Sequence, residues 1–188
     1  MNAKSHVVIV LSGKRKSGKD FVADMLLQCF KESGEILRIS EPLKEIYARE
    51  HDLNFERLLD ASEYKEKHRA NMIKWGEEQR EKNPYIFCET VIRKASKRIL
   101  IISDARRKTD LEFFRREFPK NLLLIRIEAQ EETRQKRGWV FTKGIDDADS
   151  ECNLDSIKDW DYVVKNDKDN LDIQEDIKSI AHKALELV

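Results

Sequence analysis

Cysteine is scarce in this chain, and Cys29, Cys88 and Cys152 are widely spaced, with no C-x-x-C pair. Such a set supplies neither a zinc knuckle nor a disulfide framework, which leaves buried or incidental thiols. Glycine numbers only six in 188 residues, and no glycine-serine linker, internal repeat or low-complexity tract divides the sequence. No apolar stretch approaches the roughly 20 residues of a membrane span. The N-terminal MNAKSHVVIVLSG lacks the cleavage site and long apolar core of a secretory signal, and the terminal LELV is not an S-K-L address. A reducing, soluble compartment, the cytosol, is the expectation. Net charge is missing as well, since 36 basic and 36 acidic residues cancel, and aromatic residues make up only 8%. Neither an electrostatic grip on nucleic acid nor a stacking platform for bases is expected.

What the chain does have is a set of short, sticky, turn-bounded runs: VVIVL, ILIIS and NLLLIRI. These are the signature of parallel strands buried on both faces, and they outweigh a charged content of 38% that alone would suggest disorder. The first of them, Val7–Leu11, runs into SGKRKSGKD. In this G-x-x-x-x-G-K pattern, Gly13 and Gly18 let successive backbone N–H groups wrap a phosphate, and Lys19 offers a cation to the β and γ oxygens. Position 20, where Ser or Thr usually meets Mg2+, is Asp20. Phe21, Val22, Met25, Leu26, Cys29 and Phe30 then recur at helical spacing, and Gly34 is expected to stop that helix.

Further along, Ile36–Ser40 reads as a second strand, with Pro42 opening a helix. No strand-like run appears before about Lys97, so 42–97 reads as a helical insertion. Strands are expected at Arg98–Asp104, Asn121–Ile127 and Asp161–Asn166, with helices at Asp110–Phe118 and Leu171–Leu187. Five strands alternating with helices specify an α/β three-layer sandwich around a five-stranded parallel sheet. A chain of this length fits one domain.

Basic groups cluster at the expected carboxyl edge of that sheet. Lys14, Arg15 and Lys16 add three cations to the phosphate loop. Lys65, Arg69, Ile73, Gly76 and Arg80 fall on one face of an insertion helix, where a glycine costs about 1 kcal/mol against alanine and so implies close packing or binding. Asp104 ends the third strand as a candidate for orienting metal-bound water, followed by Arg106 and Arg107. Arg126 precedes Arg134, Lys136 and Arg137, a basic segment with the makings of a lid over about 128–150. The acidic residues Asp146, Asp147, Asp149 and Glu151 either orient lid arginines or cap the next segment; Ser150 and Asp155, as good N-cap residues, favour capping. Trp75, alone on a helix, reads as core.

An alcohol acceptor usually requires an Asp to take its proton, whereas a phosphate acceptor is already ionised and needs charge neutralisation. The arginine count favours a phosphorylated small-molecule acceptor. Charge patterning does not name it, and a nucleotide or dephospho-coenzyme A kinase fits as well. A P-loop binding module or switch is a further alternative, although residues 166–169, NDKD, have the wrong spacing for a base-specificity motif.

Several blocks are more specific. SGKRKSGKDF at Ser12–Phe21, PLKE at Pro42–Glu45, NFERLLD at Asn54–Asp60, YKE at Tyr64–Glu66, WGEE at Trp75–Glu78, SDARR at Ser103–Arg107, RQKRGWVF at Arg134–Phe141 and SEC at Ser150–Cys152 resemble the animal-type phosphomevalonate kinases. That family has the nucleoside monophosphate kinase fold and transfers the ATP γ-phosphate to 5-phosphomevalonate, for isoprenoid and sterol synthesis. The resemblance implies one kinase domain over 1–188 that works as a monomer with ATP and Mg2+, on neither nucleic acid nor membrane. Gly13, Lys14, Arg15, Lys16, Ser17, Gly18, Lys19, Asp20 and Arg137 would serve ATP. Lys65, Arg69, Arg80, Arg106 and Arg107 would serve the acceptor, Lys19, Asp20 and Arg106 the chemistry, and Asp20 and Asp104 the metal. Glu89 departs from the pattern, being acidic where a basic group is expected.

Overall fold

In the computed structural model, residues 6–59, 63–167 and 171–188 are described. Asp60 of the NFERLLD block, and Lys168 and Asp169 of the NDKD run, lie outside them. The chain forms two compact units, residues 1–37 with 95–188, and residues 38–94.

The first unit is built on a five-stranded sheet of order β2-β3-β1-β4-β5, parallel throughout. The strands are β1 (Val7–Ser12), β2 (Gly34–Leu37), β3 (Ile99–Ala105), β4 (Leu122–Glu128) and β5 (Tyr162–Lys165). Every residue of β1 is buried, as its unbroken apolar run requires of a central strand covered on both sides. The chain leaves β1 for β2 on one side and β3 for β4 on the other. Right-handed crossovers therefore put helix α1 (Lys19–Phe30) and helix α6 (Lys108–Glu117) on opposite faces. Val22, Ala23, Leu26 and Phe30 of α1 join Ile173, Ile177, Ile180 and Ala184 of helix α9 (Leu171–Glu186) in one core with Ile9, Leu11, Ile101 and Ile125.

Three local expectations change. Phe21 is 45% exposed and Cys29 is exposed, because the buried arc of α1 is centred on Val22, Ala23 and Leu26. Gly34 does not stop α1, which ends at Phe30 and passes through a single 3-10 turn, Lys31–Ser33. Gly34 instead opens β2 opposite Ile99, where an added Cβ would lie 2.9 Å from Phe30 Cβ. The second strand accordingly starts and ends earlier than Ile36–Ser40, and Ser40 already belongs to a helix.

The second unit is helical: α2 (Ser40–Glu50), α3 (Phe55–Leu59), α4 (Glu63–Lys82) and α5 (Ile86–Arg93). Trp75 is its centre, edge-on to Tyr47 at 5.6 Å and tilted against Phe87 at 6.2 Å. Its indole N–H donates to Glu50 at 3.0 Å, which satisfies the one polar atom of a buried ring. Gly76 is buried beside Leu43 of α2, whose Cδ1 would lie 2.7 Å from a Cβ there. Close helix packing is thus the reason for a glycine inside α4.

In the first unit the β1–β3 pairing shifts register after Val10, so that Ser12 opposes Ala105 rather than Asp104. One extra β3 residue at Ser103–Asp104 bends the strand end, as bulges do beside functional sites. Directly after it, the buried Asp110 carboxylate accepts the backbone N–H groups of Arg106 at 2.9 Å and Arg107 at 3.0 Å. Asp110→Ala is expected to lose about 1–3 kcal/mol of unfolding free energy, because it leaves a buried donor unsatisfied. Urea unfolding followed by circular dichroism checks this, and a midpoint equal to wild type would refute it.

Candidate active site

The phosphate loop follows from two positions where only glycine fits. At Gly13 a Cβ would overlap the Ile127 carbonyl oxygen, and at Gly18 (φ +93°) it would overlap the Asn166 side-chain amide. Gly18 is also the N-cap of α1, so the loop delivers its backbone donors at a helix N-terminus. Lys16, at φ 61°, completes the reversal and is exposed. Ser17 is buried, and its N–H donates to Lys14 O at 3.2 Å.

Lys19 curls back over this loop. Its ammonium donates to the carbonyls of Gly13 at 2.7 Å and Lys14 at 2.9 Å. Burial pushes its pKa down from 10.5 to about 7; the Arg106 guanidinium adds to the fall, while Asp20 and Asp104 oppose it. Asp20, in the first turn of α1, and Asp104, at the β3 bulge, therefore both act on the same ammonium. No group of three or more His, Cys, Asp or Glu suited to a metal occurs among the described residues. Mg2+ usually takes one or two carboxylates and fills its shell with water and substrate phosphate, which Asp20 and Asp104 suit.

The acidic segment does not cap. Helix α8 (Asp149–Cys152) has Ala148 as its N-cap and no side-chain cap bond. Asp147 accepts the Gly144 N–H, while Asp146, Glu151 and Asp155 go to the loop cations and the strand-end arginines. Asp146 pairs with Arg15 at 2.8 Å, and Asp155 pairs with Lys14 at 2.5 Å and Arg126 at 2.9 Å. Glu151 pairs with Arg106 and also accepts the Arg15 N–H at 2.9 Å. The physical reason is crowding: cations this close repel unless anions lie between them, whereas a helix of four residues gains little from a cap. Lys14 and Arg15 are thus already matched by protein carboxylates.

The basic segment after β4 contains helix α7 (Glu131–Lys136), and its arginines reach the loop's carbonyl oxygens. Arg134 Nε donates to Arg15 O at 2.8 Å, and its guanidinium lies 4.1 Å from the Trp139 ring centre. Arg137 donates to Ser17 O at 3.1 Å, and to the backbone and side-chain oxygens of Asn166 at 2.8 and 3.1 Å. Asn166 in turn donates to Ser17 O at 2.8 Å. Asn166 and Asp155 carry no motif in the sequence, since neither a bond to a backbone carbonyl nor an ion pair with a distant cation leaves a pattern in residue types. Beside the loop, a cleft of about 350 Å3 is lined by Lys14, Ser17, Arg126, Gln130, Lys165 and Asp167.

Lys19, Asp104 and Arg106 are thus drawn together with Lys14, Arg15 and Arg137. Arg107 is buried, 8% exposed, at the N-cap of α6. Lys65, Arg69 and Arg80 are half-buried on α4 in the second unit. There Arg69 forms a two-bond pair with Glu66, at 2.8 and 2.5 Å, and Arg80 lies over Phe87 at 5.1 Å. Glu89 accepts from Asn83 at 3.2 Å and lies 3.7 Å from Arg93.

Residues 11–120 match the family model for phosphomevalonate kinase. A Drosophila melanogaster phosphomevalonate kinase is 40% identical over 168 residues, which cover 86% of this chain and 89% of the relative. The chain belongs to the phosphomevalonate kinase family. Its fold is also that of solved P-loop kinases. A Thermus thermophilus protein superposes with a TM-score of 0.52 at 15% identity, covering 96% of this chain and 98% of the other. A shikimate kinase from Acinetobacter baumannii, solved with shikimate, gives 0.50 at 11% identity, covering 97% and 95%. At those identities the likeness is one of fold.

Family membership makes the Lys19 environment testable. A lysine whose folded pKa lies below its unfolded value is penalised most where both forms are charged, below about pH 7. The penalty fades as pH rises from there toward 10.5, where the folded form has already lost its proton. Lys19→Met removes it, so the melting temperature of the variant relative to wild type should be most favourable near pH 6 and decline toward pH 9.5. Calorimetry across that range decides, and a pH-independent difference would mean that the ammonium is well hydrated.

Proposed function

We propose that the protein transfers the γ-phosphoryl group of ATP to (R)-5-phosphomevalonate, forming (R)-5-diphosphomevalonate and ADP with Mg2+, in the mevalonate pathway. The observation that carries this reading is the set of cations gathered on one loop in a chain of this family, where Arg106 and Arg126 act on the half-buried Lys19 and Arg134 and Arg137 hold the loop's carbonyl oxygens. An acceptor phosphate is ionised at neutral pH, so its oxygen attacks the γ-phosphorus directly as the bond to the ADP oxygen breaks. The obstacle is the approach of two polyanions, which fixed cations lower.

In this reading Lys19 bridges the β and γ oxygens and the loop N–H groups hold the β-phosphate. Lys14 to Asp20 and Arg137 serve ATP, and Arg106 acts on the transferring group. Lys65, Arg69, Arg80 and Arg107 serve the acceptor, as their family blocks imply, which makes 38–94 the acceptor-binding unit and about 128–150 the lid. Asp20 and Asp104 hold Mg2+, which when bound neutralises phosphate charge. ADP release measured against a panel of phosphorylated acceptors tests the substrate: turnover confined to 5-phosphomevalonate is expected, and preference for a nucleotide or dephospho-coenzyme A would overturn it. Arg80→Met should raise the KM for the acceptor about tenfold or more, the cost of one charged hydrogen bond, and spare that for ATP.

Asp20 carries a separate expectation. A carboxylate at the metal position adds negative charge beside ATP, tolerable where it meets the ion directly or through water. Asp20→Asn should shift the Mg2+ activation curve to higher concentration more than it weakens nucleotide binding without metal. Superimposable curves with a small drop in melting temperature would reduce Asp20 to a helix-dipole residue, worth about 0.3–1 kcal/mol.

A further inference from the structure

Three carboxylates of the segment 146–155 each tie the phosphate loop to a different neighbour. Asp146 joins Arg15 to the Trp139 indole at 2.9 Å and the Thr142 N–H at 2.8 Å. Asp155, 44% exposed, joins Lys14 to Arg126 at the end of β4. Glu151 differs from Asp155 in burial, with only 3% of its side chain exposed. One of its oxygens takes Arg106 and the other the Arg15 backbone N–H. Its own carbonyl accepts Lys14 at 2.8 Å, and Ser150 O lies 3.4 Å from the same Arg106 nitrogen.

A carboxylate this deep costs several kcal/mol of desolvation unless it is well bonded. Helix capping does not account for it, since Ala148 takes that position. What its two oxygens accomplish is to tie one nitrogen of the Arg106 guanidinium to the backbone of the loop that grips the phosphates. The guanidinium is planar, so holding that nitrogen between the Glu151 carboxylate and the Ser150 carbonyl restricts the direction of its other donors before substrate arrives. Displacing such a group by about 1 Å can cost on the order of a hundredfold in rate.

We propose that Glu151 is a positioning residue for phosphoryl transfer, holding Arg106 in register with the phosphate loop. The inference rests on the reading of Arg106 as the group that acts on the transferring phosphoryl. A double-mutant cycle of Glu151→Gln and Arg106→Met, with kcat, both KM values and melting temperature measured for each protein, tests it. Glu151→Gln alone is expected to lower kcat about a hundredfold with little change in the KM for ATP. In the Arg106→Met background it should cost no more than about a further twofold, a factor within the scatter to which such effects are reproducible. Glu151→Asp, which keeps the charge but shortens the reach, should also lower kcat, and it replaces Gln in the cycle if Glu151→Gln fails to fold.

Losses that multiply fully across the two backgrounds would overturn the proposal, because Glu151 would then act independently of Arg106. So would unchanged kcat with tighter binding of ATP and acceptor, the result for an anion that merely competes with phosphate. Full activity in Arg106→Met would overturn it together with the assigned role of Arg106, an outcome distinct from a slow Arg106→Met with multiplicative losses.

Discussion

Like charges gathered for a polyanion must be held together before the polyanion arrives. Lys14, Arg15, Lys19, Arg106 and Arg126 meet around one loop, and two charges 4 Å apart interact by about 4 kcal/mol at an effective dielectric of 20. Left unscreened, that repulsion would splay the loop from the strand ends. The segment 146–155 answers it with carboxylates that each hold a second partner besides a cation: Asp155 a second cation, Asp146 the Trp139 indole and Glu151 the Arg15 backbone N–H. Isolated exposed pairs contribute little. Bridging changes that, because each anion already fixed by one partner loses less freedom in meeting the second.

The same constraint explains why neutral groups are enlisted beside the charged ones. Arg137 spends its donors on the carbonyls of Ser17 and Asn166, and Arg134 on that of Arg15. A loop whose N–H groups turn inward toward phosphate turns carbonyl oxygens outward, and these need donors when partly buried. Arginines of the basic segment supply them, so the loop's shape and the segment's position depend on each other. Asn166 closes the circuit by donating to Ser17 O while occupying the space a side chain at Gly18 would need.

The sheet was legible in the sequence because its strands are apolar on both faces, a pattern that does not depend on what packs against them. VVIVL, RILIISD and NLLLIRI appear as β1, β3 and β4 within one residue at each end. The phosphate loop was legible because backbone geometry dictates its glycines. Legibility failed where a residue's role is set by a partner distant in the chain. The acidic segment looked like caps, since Ser and Asp favour N-caps on local grounds, while the cations it meets lie 29 to 141 residues away. Gly76 left packing and binding open on local grounds, and packing against Leu43, on another helix, is its explanation. Phe21 fitted the helical period and is nonetheless exposed, because period alone does not say where the buried arc is centred.

Lys19 brings these threads together. Burial pushes its pKa down to about 7, so its proton is held less firmly than that of a surface lysine. A nucleotide's phosphates favour the charged form and hold the proton on it. The arginines have no such freedom, since a guanidinium keeps its proton, and protein carboxylates must balance them permanently. The site thus meets one electrostatic demand by two means: fixed counter-ions for the groups that always bear charge, and a titratable ammonium for the one group pressed into the loop's interior.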